Sequence, residues 1–225
     1  MTWKSWLSQL MEIHVESASS EYNPHLYVSL RRGRYQLSTA KAIYSYADLY
    51  DNFVKAFQSI DLDKIPGKEV LLLGFGLGSI PTILEKTLQR CFYYTAVEVD
   101  EAVIDLASRY TLPDLESPIE IICADAYAFV MQSEAQYDLI CMDVFIDDAV
   151  PSPFEEPEFV EALKDRLTPG GVLLYNRLTA APKDVAKTQQ FLHEVFLPVF
   201  PSGTSIHAQG NWILLNEQKL LKKDL

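Results

Sequence analysis

A chain of 225 residues with 48% hydrophobic side chains has room for one α/β domain, a small appendage and a substantial core. Its formal net charge of −12 excludes nucleic acid as the main partner, because phosphate binding needs a basic face. Three cysteines without metal spacing imply reduced thiols rather than a disulfide scaffold, and no apolar run approaches the ~18 residues of a membrane span. Charges within the first seventeen residues come too early for a signal peptide, so the expected location is cytoplasmic.

Up to residue 45 the pattern is strand-like. MEIHVES, HLYVSLRR and RYQLST alternate apolar and polar residues, with turn material at Ser19 to Pro24 and at Gly33. This predicts a small antiparallel sheet of three or four strands, an N-terminal β-hairpin subdomain over residues 1–45. Trp3 and Trp6 ahead of it form an apolar edge suited to a dimer contact or a lid over the hairpins. Tyr46, Leu49, Tyr50, Phe53, Val54 and Phe57 fall at helical spacing, which predicts one helix from Tyr46 to Ile60 opening a second domain, residues 46–225. Tyr50 and Phe53 are expected in its core, whereas Tyr46 fits either the core or an acceptor pocket. IPGK (Ile65 to Lys68) is a hinge.

VLLLGFGLGS (Val70 to Ser79) is an apolar run ending in Gly74, Gly76 and Gly78 and followed by helix-forming sequence from Ile80 to Arg90. It describes a buried parallel strand turning tightly into a helix, with bare backbone where a ligand approaches the helix N-terminus. Three more strands follow, each ending in acid: YYTAVEVD at Glu98 and Asp100, IEIICAD at Asp125, YDLICMD at Asp143. LTPGG then leads into VLLYNR, a fifth strand. The interleaved helices are predicted at Glu101–Arg109, Ala126–Gln132, Glu156–Arg166 and Lys183–Phe196. SIHAQ and NWILLN flank a turn at Gly210, a hairpin that closes the sheet with an antiparallel strand. Cys123 and Cys141 fall within buried-strand patterns and Cys91 at the edge of another.

Strands alternating with helices predict an α/β fold with a Rossmann-like doubly wound sheet, in which strand ends line one crevice. Glu98, 24 positions after Gly74, is placed to accept from ribose hydroxyls, and Asp125, with Ala126 beside it, to accept from an exocyclic amine such as that of adenine. His14, His25, His193 and His207 are dispersed without acidic or cysteine partners at ligand spacing, so no metal is expected.

The order of glycine turn, acid after the second strand, Asp after the third and Asp after the fourth resembles the class I S-adenosylmethionine-dependent methyltransferases. From about Met11 to Asn216 it is more narrowly similar to their spermidine synthase branch. That resemblance implies a seven-stranded methyltransferase-type sheet and a donor that is S-adenosylmethionine or its decarboxylated form. It also implies transfer of an aminopropyl or methyl group to a small amine acceptor, as in polyamine biosynthesis, and a possible homodimer through the N-terminal sheet. By it Gln36, Gly74, Gly76, Gly78, Glu98, Asp125 and Ala126 bind the donor, while Asp143, Asp147 and Tyr46 serve catalysis. Displacement at a carbon on a sulfonium needs alignment and an unprotonated amine, so a carboxylate at the fourth strand's end fits a base, with Asp147 or Asp148 as helper.

The sequence departs from that pattern on both the donor and the acceptor side. Leu77 stands where the family places an Asp inside the glycine turn that grips the donor's aminopropyl or methionine end, and Lys41 lies where an acidic pair holds the acceptor's far amine. The loop after Asp143 carries an extra residue before Asp147 and lacks a Ser-Ser pair. Two other readings share the glycine turn. A catalytically silent nucleoside-binding protein would keep the pocket and lose the acceptor site. A nicotinamide-dependent oxidoreductase would use the turn and Glu98 but leave Asp125 and Asp143 without a role.

Overall fold

A computed structural model describes residues 7–40, 42–146, 149–208 and 210–222. Four strands form the first sheet in the order β1-β2-β3-β4, all antiparallel: β1 (Ile13–Ala18), β2 (Leu26–Arg31), β3 (Arg34–Ser38) and β4 (Ile43–Ser45). Arg31 pairs with Arg34, so Arg32 and Gly33 make a two-residue hairpin loop, both with positive φ as a primed turn requires.

The second sheet has seven strands: β5 (Glu69–Leu73), β6 (Tyr93–Glu98), β7 (Ile119–Cys123), β8 (Tyr137–Met142), β9 (Leu167–Leu178), β10 (Thr204–Ala208) and β11 (Asn211–Leu215). Their spatial order is β10-β11-β9-β8-β5-β6-β7, and β11 runs antiparallel to both its neighbours. This is the doubly wound sheet the pattern predicts, closed by the expected hairpin.

The core follows from the two-residue period of the strands. Val70 and Leu72 of β5, Leu139 and Cys141 of β8, and Val172 and Leu174 of β9 face one side, against Phe53 and Phe57 of α1 (Asp51–Ser59), Ile80 of α2 (Ser79–Thr82) and Val103 and Leu106 of α3 (Glu101–Tyr110). Leu71, Leu73, Ile140, Met142, Leu173 and Tyr175 face the other. There they meet Val130 of α4 (Ala126–Gln132), Phe159 and Leu163 of α5 (Pro157–Asp165) and Phe191 of α6 (Pro182–Phe191). Both faces are covered, which is why these strands read as unbroken apolar runs.

Several expectations need correction. The helix expected from Tyr46 to Ile60 is broken: a 3-10 turn spans Ala47–Leu49, Tyr50 has non-helical ψ 83°, and α1 begins only at Asp51. The helix after the glycine turn converts at Ile83 to a π-helical turn ending at Thr87. That conversion turns Glu85 inward, where its carboxylate accepts from the Glu116 and Ser117 N–H groups ahead of β7. LTPGG, expected to lead into the fifth strand, is itself part of it, the bulged start of β9, with the register shifting between Tyr137↔Leu167 and Leu139↔Val172. Cys123 is exposed, because β7 is the sheet's edge; Cys91, ahead of β6, is exposed too, and Cys141 alone of the three is buried. Trp3 and Trp6 lie outside the described residues.

The N-terminal sheet is held to the larger one by polar contacts. Glu16 of β1 accepts from Arg109 Nη1 and the Tyr110 hydroxyl of α3, at 2.6 and 2.5 Å. Asp100, 1% exposed at the start of α3, accepts through Oδ2 from the Ser20 hydroxyl and Asn23 Nδ2. Ser45 and Ser79 hydroxyls meet at 2.6 Å. Among the described residues no helix is long and apolar enough to cross a membrane.

Candidate active site

The chain runs from β5 outward to β6 and β7, then crosses to β8 on the other side of β5. Strand order reverses between β5 and β8, so a crevice opens past their carboxyl ends. Gly74 ends β5 there with φ +83°, and a Cβ on it would lie 2.4 Å from the Asp143 carbonyl oxygen. Only glycine allows the two strand ends to close at this point, and the Asp143 N–H donates to the Leu73 carbonyl at 2.8 Å.

Glu98, at the end of β6, shapes the same turn. Its Oε2 accepts from the Phe75 and Gly76 N–H groups at 3.0 and 3.2 Å, and its Oε1 from the Asp100 N–H at 3.2 Å. Burial pushes its carboxyl pKa up, and those three backbone donors pull it back toward the charged form. Asp125 caps α4, its Oδ1 accepting from the Ala128 N–H at 2.8 Å, and Ala126 follows on the cleft wall.

The cleft measures about 1370 Å³. Single small-ligand sites run to about 1,000 Å³, so this cleft is larger than one such ligand requires. Gly74, Gly76, Glu98, Asp125, Ala126, Asp143 and Tyr46 all line it.

Asp143 sits at its centre, just past β8. Its Oδ1 accepts from Asn176 Nδ2 at 2.7 Å and from the Tyr50 hydroxyl at 3.4 Å. Burial pushes its pKa up to about 7; the negative Glu98 adds to that, while the Asn176 and Tyr50 donors oppose it. A carboxylate titrating near neutrality is suited to accept a proton at physiological pH. Burial and the Asp143 charge hold the Tyr50 phenol well above its ordinary pKa, so it remains a donor.

Not every anticipated residue joins them. Gly78 is not on the cleft wall; it starts α2, with φ +76°, where a Cβ would meet the Phe75 ring at 2.9 Å. Gln36 is 4% exposed on β3 and is not on the wall either; its register opposite Ser29 turns it inward, and its Oε1 is buried without a partner among the described residues. Asp147, with Asp148 and Lys41, lies outside the described residues. Asp48, adjacent to the Tyr46 cluster, is held by Arg34 through two bonds of 2.7 and 2.9 Å, which keeps its carboxyl pKa low. Leu77 is 1% exposed and belongs to the core. Arg31, Arg32 and Lys183 bring cationic side chains to the cleft wall.

Sequence reasoning missed Asn176 and the contact that Tyr50 makes with Asp143. Tyr50 packs against the core as expected and stacks on Phe53, but it also lines the cleft, where its hydroxyl reaches Asp143. Asn176 is 1% exposed on β9, and its Oδ1 accepts from Asn211 Nδ2 at 2.9 Å. The available signal was a polar residue inside VLLYNR, a strand otherwise apolar on both faces. Arg177 beside it carries a similar signal with a different outcome: it faces away, pairs with Glu155 and stacks over the Phe191 ring at 4.3 Å. Among the described residues no cluster of three or more His, Cys, Asp or Glu side chains could hold a metal ion.

Residues 59–215 match the family model described as the spermine/spermidine synthase domain. A probable polyamine aminopropyl transferase from Bifidobacterium longum is 28% identical over 138 residues, 61% of this chain and 30% of its own length. An N-terminal histidine N-methyltransferase from Emericella nidulans is 34% identical over 116 residues, 49% of this chain and 20% of its own. The chain thus spans less than a third of the length of these two relatives. A crystal structure of a probable spermidine synthase from Corynebacterium glutamicum superposes with a TM-score of 0.71 over 89% of this chain and 79% of that one, at 18% identity.

Proposed function

The chain belongs to the spermine/spermidine synthase family, and we propose that it is a transferase moving an alkyl group from an S-adenosylmethionine-type sulfonium to the nitrogen of a small amine. The observation that carries this reading is Asp143: a carboxylate titrating near neutrality at the strand-order reversal, beside a glycine turn held by Glu98. The donor supplies an alkyl carbon activated by positive sulfur, with a neutral thioether as leaving group. Glu98 takes a ribose hydroxyl with the acceptor position that its three backbone donors leave on Oε1. Asp125 accepts from the adenine amine through Oδ2, its Oδ1 being occupied by the helix cap. The bare backbone at Gly74 and Gly76 lets the sulfur end approach. Asp143 accepts the proton that the acceptor ammonium must lose before its lone pair can form the new C–N bond. Tyr46, on the same wall, forms part of the acceptor's surroundings.

The acceptor is not an ordinary linear diamine on this reading. No carboxylate projects from the turn at Leu77, which is buried in the core, and the Asp48 charge is neutralised by Arg34. Arg31, Arg32 and Lys183 share the wall with Asp51 and Asp184, so it is a mixed wall and not an acidic site dedicated to a second ammonium. A silent nucleoside-binding protein remains the second reading, favoured by those same features.

Calorimetric titration with S-adenosylmethionine, its decarboxylated form, methylthioadenosine and NAD tests the donor, and turnover with a panel of amines tests the chemistry. Expected is binding of the adenosyl ligands with one of the two sulfonium donors consumed, which separates methyl from aminopropyl transfer. Preference for NAD overturns the reading. Binding of methylthioadenosine with no product from any amine replaces it by the silent one.

A further inference from the structure

The described residues contain one chain of side-chain amides, and it ends on Asp143. Asn211 opens β11, and β11 lies antiparallel to β9 with Ile213 opposite Asn176. From there Asn211 Nδ2 donates to Asn176 Oδ1 at 2.9 Å, and Asn176 Nδ2 donates to Asp143 Oδ1 at 2.7 Å. An amide has an acceptor end and a donor end, so its orientation decides which of them a carboxyl group meets. If the Asn176 amide turned by half a revolution it would present its carbonyl to Asp143, and a carbonyl facing a carboxyl oxygen is tolerated only if that carboxyl keeps a proton. In the observed arrangement the Asn211 NH₂ occupies the carbonyl side of Asn176, which matches the orientation with the Asn176 NH₂ toward Asp143.

We propose that Asn211 is a positioning residue: by donating to Asn176 it locks that amide with its NH₂ toward Asp143 and so holds Asp143 in its proton-accepting form. Asn176 is 1% exposed, so water does not compete for either of its ends. Asp143 Oδ1 is thereby committed to Asn176 and Tyr50, which leaves Oδ2 for the acceptor's proton. The charged or titratable groups acting on Asp143 from the surrounding elements are the Tyr50 hydroxyl ahead of α1 and Glu98 of β6, and Asp143 in turn raises the Cys141 thiol of β8. Asp51, Asp184 and Lys183 stand on the cleft wall. Asn211 differs from all of these because it carries no charge and does not bond to Asp143. Its influence must pass through the sense of one hydrogen bond.

The proposal rests on Asp143 being the base, yet it can be tested without any acceptor. The carboxyl carbons of aspartate-labelled full-length protein are titrated by NMR, with the Asp143 resonance assigned by its loss in Asp143→Asn. In Asn211→Leu, a neutral near-isostere that cannot donate, the Asp143 midpoint is expected to rise by about one pH unit, tenfold in the proton equilibrium. Asn176→Leu, which removes the donor itself, is expected to raise it at least as far. Asn211→Asp, which can only accept from Asn176 and so enforces the reversed amide, is expected to raise it further still. A far-UV spectrum and a thermal melt establish that each variant is folded, and Asn211→Ser stands in for any that is not, with a midpoint between wild type and Asn211→Leu. A midpoint within about 0.2 units of wild type in Asn211→Leu overturns the proposal. So does a rise in Asn211→Leu with none in Asn176→Leu, since the effect would then not run through Asn176. If the midpoints move as expected but Asp143→Asn keeps full turnover, the lock stands and the assignment of the base falls.

Discussion

Replacing Asp143 by Asn is expected to make the protein more stable above neutral pH while abolishing turnover. Burial pushes the carboxyl's pKa in the folded chain to about 7, against 3.8 for an ordinary aspartate in water. The folded state therefore holds the proton more tightly than the unfolded one, so the wild-type contribution is fully present below pH about 4 and is lost as pH rises to about 7. Three units at about 1.4 kcal/mol each make about 4 kcal/mol, which solvent reaching the partly exposed side chain reduces to roughly 2–4 kcal/mol. The Asn side chain can keep the geometry, with its oxygen accepting from Asn176 and Tyr50 as Oδ1 does now and its NH₂ toward the cleft. Urea unfolding of both proteins between pH about 4 and 8 is the assay, because contributions from every other group cancel in the difference. The two should be nearly equal at the acid end, with the variant ahead by roughly 2–4 kcal/mol at the alkaline end. A difference that does not change with pH, or one in which wild type gains on the variant as pH rises, would refute the account of Asp143 as a strained, near-neutral base. Methylthioadenosine affinity should be unchanged, because Glu98 and Asp125 are untouched.

Glu98→Ala leaves two backbone N–H groups of the glycine turn and that of Asp100 without their acceptor, and removes the proposed ribose contact. Methylthioadenosine affinity by calorimetry should fall at least about 100-fold, and a change under about threefold would remove Glu98 from the site. Gly74→Ala places a Cβ 2.4 Å from the Asp143 carbonyl oxygen at φ +83°, so the strand ends must separate. The expected destabilisation is about 2–4 kcal/mol, a fall of roughly 5–15 °C in Tm, and an unchanged melt would show that the turn relaxes without strain. In the native protein a thiol reagent should label Cys91 and Cys123, which are exposed, and reach Cys141 only on unfolding; equal rates at all three would contradict the burial pattern of β8.

The sheet was readable in the chain because its signals are local. Unbroken apolar runs, glycines after β5 and acids at strand ends each depend on residues a few positions apart, and they brought Glu98, Asp125 and Asp143 to one crevice. The two polar letters inside VLLYNR were equally visible, but nothing local distinguishes Asn176, which reaches Asp143, from Arg177, which pairs with Glu155 over the Phe191 ring. The helical break that delivers Tyr50 was also hidden, since the apolar spacing from Tyr46 to Phe57 continues through it.

The amino-acid sequence by itself determined the alternation of strand and helix and the row of acids, through periodicity and turn chemistry acting over a few residues. Only the tertiary structure decided what surrounds Asp143. Tyr50 comes from 93 positions away and Asn176 from 33, and Asn211 reaches Asn176 across 35 more. A carboxyl's proton affinity depends on burial and on the sense of hydrogen bonds arriving from distant strands, and those exist only once the sheet has closed.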